Sequence, residues 1–540
     1  MKKNSNCSKL IIYKLKSFSL ILFLIGCFFC HTSCLMEKNE FDNSNFIEVS
    51  ISKLSEGYNN GEFTIYDVTK FYIDRINQID KNGPQLNSII QINPDALKTS
   101  KLLDEEIQNG KIRSRLHGIP IVLKDNIDTS DKMPTTAGSR AMIGSFPLKD
   151  SYLVKKLRTS GAVILGKANL SEWANFRGKN SSSGWSGVGG QTKNPYFLNR
   201  NPCGSSSGSA VAVSANLTLL AIGTETNGSI VCPSTTNGIV GIKPTVGLIS
   251  RSGIIPISYT QDTAGPMART LEDAVIALGI LTGIDNNDPK TLKSKSYALN
   301  DYTSFLKLNG IKGKRIGLFK KPLGINEDVD RLFYKSIDVI KDLGAEVIEI
   351  DKLNSDETRQ MSFKVMLHEY KDGLNKYFKS LGKNAKIKSL EQLIDFNKKD
   401  SIELKFYNQL YLEMANNTDG MKSKTYIEAH KNLMRLSRDE GIDKVMEENN
   451  LDAIVSPTGN PAWSTDWING DRYLVHSSSP AAWAGYPNIT IPMGDVHGLP
   501  VGISFFGKAW SEPTLIEIAY SFEQKTKARI IPQLKLNLIE

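Results

Sequence analysis

The sequence predicts an α/β fold: one large domain in which a β-sheet is covered by helices on both faces. Three observations carry this expectation. The chain has 540 residues, 40% hydrophobic and 23% charged, an ordinary globular composition with ample length for a large core. Short apolar runs alternate along it with stretches of helical period. No internal repeat and no second set of domain signals interrupts that rhythm.

Taken in order, Thr64-Ile65-Tyr66-Asp67-Val68-Thr69 opens an amphipathic helix running toward Ile79. Gly118 to Leu123 reads as a short buried strand, Tyr152 to Ser160 as a helix and Ala162 to Leu165 as another strand. Arg315 to Phe319, Asp328 to Leu343 and Glu346 to Ile350 read as strand, helix, strand. Residues 290–450 are otherwise richer in Lys and Glu and mostly helical in pattern, an elaboration of the same domain. The stretch from Gly178 to Gly265 is crowded with Gly and Ser but interleaved with apolar runs such as Leu217 to Ile222, so it reads as a site wall where backbone approaches a ligand, not as a linker.

The N-terminus follows a different logic. Lys2, Lys3, Lys9, Lys14 and Lys16 precede the apolar run Phe18 to Ile25, the layout of a secretory signal peptide. Leu24-Ile25-Gly26-Cys27 resembles a bacterial lipobox, which makes 1–26 a signal peptide, Cys27 the lipid anchor, 27–45 a polar tether and 46–540 the folded body. His31-Thr32-Ser33-Cys34 is an alternative with Cys34 as the anchor, and a plain signal peptide or uncleaved anchor is the bland reading. An exported protein, lipid-anchored to the cell envelope, is the expectation. Removing 1–26 takes away five lysines and no acid, so the net charge falls from +9 to +4 and gives no indication of a nucleic-acid partner. Four of the six cysteines lie in or beside the signal, leaving Cys203 and Cys232 in the body, and no disulfide framework or repeated metal-type spacing is expected.

Several chemistries fail for want of residues. The six histidines show no HExxH or other ligand spacing, so no metal is expected. Gly161 to Ala168 nearly matches a phosphate-binding loop, but Ala168 stands where a hydroxyl is needed and the middle is a greasy strand. No G-x-S-x-G elbow stands out, so a serine nucleophile here needs an activator other than histidine. Lysine serves if burial holds it neutral, and Lys124 follows the apolar run Ile119 to Leu123 into the interior.

Three motifs, in order, carry a resemblance. Leu116-His117-Gly118-Ile119-Pro120-Ile121-Val122-Leu123-Lys124-Asp125-Asn126 resembles the lysine motif of the amidase signature family. Gly204-Ser205-Ser206-Ser207-Gly208-Ser209-Ala210 resembles its Gly/Ser motif, and Gly223-Thr224-Glu225-Thr226-Asn227-Gly228-Ser229-Ile230 its nucleophile motif. Ser205 and Ser229 are 24 positions apart, as the family's pair is, and the likeness runs from about residue 50 to 525.

The resemblance implies a mixed central sheet in a single domain and a cofactor-free serine amidase. It makes Lys124 the base, Ser205 a bridging serine in a cis peptide and Ser229 the nucleophile. The N–H groups of Thr226, Asn227, Gly228 and Ser229 would form the oxyanion hole. Ser209 is expected to cap a helix from Ala210. The chain departs from common members in carrying Cys203, Ser207 and Asn227 for Gly and Val231 for Arg. Gly184-Trp185-Ser186-Gly187 and Ser229-Ile230-Val231-Cys232-Pro233 look most like the peptide amidase branch, which removes C-terminal amides, and less like the tRNA-dependent amidotransferases. The expected substrate is a small-molecule or peptide amide; a broad small-amide or fatty-acid amide hydrolase and a non-catalytic binding lipoprotein are the alternatives.

Overall fold

The computed structural model describes residues 43–538. The chain divides into two units, residues 1–47 and 48–540. Of the first, only a short 3-10 turn, Asn43–Phe46, and Ile47 are described, so Cys27, Cys34, the signal segment and nearly all of the tether lie outside the described residues.

The second unit is built on thirteen strands. These are β1 (Ile89–Ile92), β2 (Pro120–Lys124), β3 (Val163–Ala168), β4 (Trp185–Ser186), β5 (Gly190–Gln191), β6 (Leu220–Glu225), β7 (Val240–Lys243), β8 (Thr263–Ala268), β9 (Arg315–Phe319), β10 (Glu346–Ile350), β11 (Ala453–Pro457), β12 (Asn488–Val496) and β13 (Leu499–Phe506). β4 and β5 form a small ribbon. The other eleven make one sheet in the order β1-β3-β2-β6-β8-β7-β12-β13-β11-β9-β10. It is mixed: β3, β2 and β6 run parallel, as do β10, β9 and β11, while β8, β7, β12 and β13 join them through antiparallel pairings. The central strands are buried along their whole length, which is why they read as continuous apolar runs without alternation. At one edge β10 turns Glu346 and Glu349 outward, charges that discourage pairing with another chain.

Helix starts follow local capping chemistry. Thr64 and Asp67 form a capping box at the start of Ile65–Arg75, which continues in a wider turn through Ile76–Lys81. Ser151 caps Tyr152–Thr159, and Asn326 caps Glu327–Asp342. The Gly/Ser segment behaves differently from expectation at one point: its helix spans Ser207–Ser214, and Ser209 lies inside it with its hydroxyl directed to the Ile222 carbonyl, so Ser209 is not the cap. This helix is buried all round and needs no polar face.

The near-match to a phosphate loop is strand β3, and Lys167 within it is buried, donating to the Ile127 carbonyl at 2.6 Å and Thr135 Oγ1 at 3.0 Å. Within 290–450, β9 and β10 extend the main sheet. The helices Asp356–Ser380, Leu390–Lys399 and Leu410–Asn416 instead pack as a separate apolar cluster over Trp173, Phe176, Ile255 and Ile257. That cluster roofs the edge where β2 and β6 end. No helix among the described residues is long and apolar enough to cross a membrane.

Candidate active site

Parallel neighbours β2 and β6 deliver their C-terminal ends to the same sheet edge. Leu123 stands opposite Ile222, so Lys124 emerges beside the last residues of β6 and the turn that follows. The Lys124 side chain is fully buried. Its Nζ is 2.7 Å from Ser205 Oγ and donates to the Thr224 carbonyl at 3.1 Å. Burial pulls its pKa down to about 7, against the opposing pull of the Glu225 and Asp262 carboxylates. Nζ donates to both oxygens, and an amine that has lost its extra proton keeps the N–H to Thr224 while gaining a lone pair able to accept from the serine hydroxyl.

The Gly204–Ser205 peptide is cis. A Cβ on Gly204 would lie 2.2 Å from Ser171 Oγ, and one on Gly208 would meet the Ser88 carbonyl at 2.2 Å, so both glycines are there for space. Ser171 N donates to the Ser205 carbonyl, and Ser206 N to the Ser229 carbonyl at 3.2 Å. Those bonds hold the Gly/Ser segment against the turn carrying Ser229.

That turn is organised by Glu225. Its Oε1 accepts from Gly228 N at 2.8 Å, and its Oε2 from Ile230 N at 2.7 Å and Val231 N at 3.0 Å. One of the four expected oxyanion donors is therefore committed elsewhere: the Gly228 N–H belongs to Glu225, because the carboxylate sits inside the turn and collects the donors at the start of the helix Val231–Thr236. The N–H groups of Thr226, Asn227 and Ser229 make no hydrogen bond within the described protein. Gly228 has φ of 86°, which lets the chain reverse there. Asn227 is held by Ser478 Oγ, which donates to its Oδ1 at 2.8 Å, and Thr226 Oγ1 donates to Asp262 at 2.6 Å.

Ser229 lines a cavity of about 200 Å³ together with Thr226, Asn227, Gly228 and Gly204, and its hydroxyl makes no hydrogen bond within the described protein. A second cavity, about 850 Å³, shares Ala174, Thr226 and Ile257 with the first and is walled by Ile254, Ile255 and Pro256. Among the described residues no group of three His, Cys, Asp or Glu is arranged to hold a metal ion.

The two body cysteines correct the sequence reading. Cys203 and Cys232 form a disulfide, with Cα atoms 6.0 Å apart although 29 positions separate them. One lies two residues before Ser205 and the other three after Ser229, so only the folded approach of these two segments brings them together. Sequence reasoning also passed over Glu225, Asp262 and Asp471. An acid four residues before a serine in a strand-to-helix turn was the available signal for Glu225; for the other two there was none.

A buried lysine, two serines and a turn whose N–H groups at Thr226, Asn227 and Ser229 have no partner within the described protein thus meet at one end of the parallel strands. The family model described as Amidase matches residues 67–516. A probable amidase of Arabidopsis thaliana, At4g34880, is 41% identical over 90% of this chain and 91% of its own length. A putative amidase of Schizosaccharomyces pombe is 37% identical over 91% of this chain and 87% of its own. Among solved structures, the native peptide amidase of Stenotrophomonas maltophilia is 47% identical, with a TM-score of 0.87 over 91% of this chain and 99% of that one. The chain belongs to the amidase signature family and is an amide-hydrolysing serine enzyme.

Proposed function

We propose that this enzyme removes carboxamide groups through an acyl-enzyme on Ser229, with Ser205 as proton relay and Lys124 as base, and that its substrates are peptides with C-terminal amides. The observation that carries the mechanism is the 2.7 Å approach of a fully buried lysine amine to Ser205 Oγ, on a segment bonded through its backbone to that of Ser229. Neutral Lys124 takes the Ser205 proton as Ser205 Oγ takes that of Ser229, and Ser229 Oγ adds to the substrate carbonyl carbon. The oxyanion faces the free N–H groups of Thr226, Asn227 and Ser229. Collapse breaks the C–N bond, and the relay returns its proton to the leaving nitrogen. Water then attacks the acyl-enzyme by the same route, releasing a carboxylic acid and regenerating Ser229. No hydrogen bond joins Ser205 Oγ to Ser229 Oγ in the free protein, so the relay closes when substrate orders the Ser229 hydroxyl.

The substrate class is supported by the likeness to the peptide amidase. A long acyl chain is the second reading, favoured by the size of the cavity adjoining the site and the aliphatic stretch Ile254 to Ile257 in its wall. Ammonia release from amidated peptides and from fatty-acid amides, measured side by side, decides between them. Turnover of fatty amides alone would reject the peptide reading. We also propose export to an oxidising compartment, with Cys27, or alternatively Cys34, as lipid anchor; the Cys203–Cys232 disulfide supports it, since such bonds persist mainly outside the reducing cytosol.

A further inference from the structure

The cavity onto which Ser229 opens contains one charged side chain, and the proposed relay does not use it. Asp471 lines the wall with Phe176, Met366 and Tyr473. Its Oδ1 accepts from Ser183 N at 2.9 Å and Trp463 Nε1 at 3.3 Å, and its Oδ2 from Ser183 Oγ at 2.5 Å. All three donors are neutral. No lysine, arginine or histidine pairs with it among the described residues, although burial raises its pKa to about 6 and it is therefore ionised above that.

A half-buried carboxylate that no cation faces among the described residues carries an uncompensated desolvation cost, and its hydrogen bonds here orient it without neutralising it. Three donors also leave Oδ2 with acceptor capacity. Resting on the amidase reading, we propose that Asp471 is a specificity-determining residue that receives an ammonium or guanidinium group of the substrate, so that the preferred substrates are amides of cationic peptides. The group supplies the positive charge that the pocket lacks.

The test uses the full chain at pH 8 and two pairs of acetylated dipeptide amides, in which lysine or its neutral isostere norleucine occupies the last or the penultimate position beside tyrosine. The wild type should favour the lysyl member of at least one pair by roughly tenfold in kcat/KM, through KM. In Asp471→Asn, which keeps an acceptor for Ser183, that ratio should fall to near one; Asp471→Glu should retain part of the preference. Equal use of both members by the wild type, or a preference that survives in Asp471→Asn, would overturn the proposal. Calorimetric titration of the same peptides into Ser229→Ala reads the preference without turnover. A chain that binds lysyl over norleucyl peptides but hydrolyses none would keep the role of Asp471 in binding and discard the peptide-amide reading, whereas turnover of all four peptides without discrimination would do the reverse.

Discussion

The amine of Lys124 lies 2.7 Å from Ser205 Oγ, and among the described residues no carboxylate forms an ion pair with it. Desolvation therefore governs its charge, and on the proposed mechanism a base with a pKa of about 7 sets the pH dependence of turnover. Activity should rise through about pH 7 and fall roughly tenfold per pH unit below it, as the neutral base is lost. The linkage to stability has the same direction. A lysine whose folded pKa lies below 10.5 binds fewer protons folded than unfolded between about 7 and 10.5, so its burial penalty is relieved as pH rises through that window. A kcat/KM profile that stays flat from pH 8 to pH 4 would remove Lys124 from the base role.

Ser205 and Ser229 should separate in a labelling experiment. Ser229→Ala removes the attacking oxygen and should abolish turnover and fluorophosphonate attachment. Ser205→Ala should lower kcat by roughly 10²- to 10⁴-fold, the contribution of a general acid–base group, yet still label slowly at Ser229. Mass spectrometry of the adduct checks this; an adduct on Ser205 would exchange the two roles.

Glu225 gathers the N–H groups of Gly228, Ile230 and Val231, so Glu225→Ala strands three donors inside the turn that presents Ser229. Stability should drop by at least about 2 kcal/mol in urea melts, because buried donors left unpaired carry their full desolvation cost. Turnover of the folded fraction should fall as well, while Glu225→Gln, which keeps acceptor capacity at one oxygen, should recover part of both.

Breaking the Cys203–Cys232 bridge in a Cys203→Ser, Cys232→Ser double variant should lower the stability of the folded body by about 2–4 kcal/mol. Thiol titration of the denatured protein before and after reduction should show two additional thiols in the wild type and none in the double variant.

The lipid anchor is tested by Cys27→Ala, which should convert a detergent-partitioning, processed protein into a soluble or unprocessed one. The same effect from Cys34→Ala alone would move the anchor to Cys34.

Much of this protein was legible in its sequence because local physics specified it. Buried strands such as 120–124 and 315–319 announce themselves as apolar runs, and Thr64 with Asp67 fixes a helix start through a box only four residues long. The lysine and the two serines were picked out by the resemblance of their motifs to those of a known family, and the turn glycine suits a position with φ of 86°. What the sequence could not hold was proximity. Cys203 and Cys232 pair only because two segments 29 positions apart are pressed together, and Gly228 loses its N–H to Glu225 only once the strand end and helix start have met. Asp471 is one acid among many along the chain; it becomes the lone charge in the cavity of Ser229 because Ser183 and Trp463 hold it there, the first of them far away in sequence. Desolvation and counter-charge are properties of a three-dimensional neighbourhood, so the candidate groups were named from sequence, while their protonation, pairing and reach were decided by the tertiary fold.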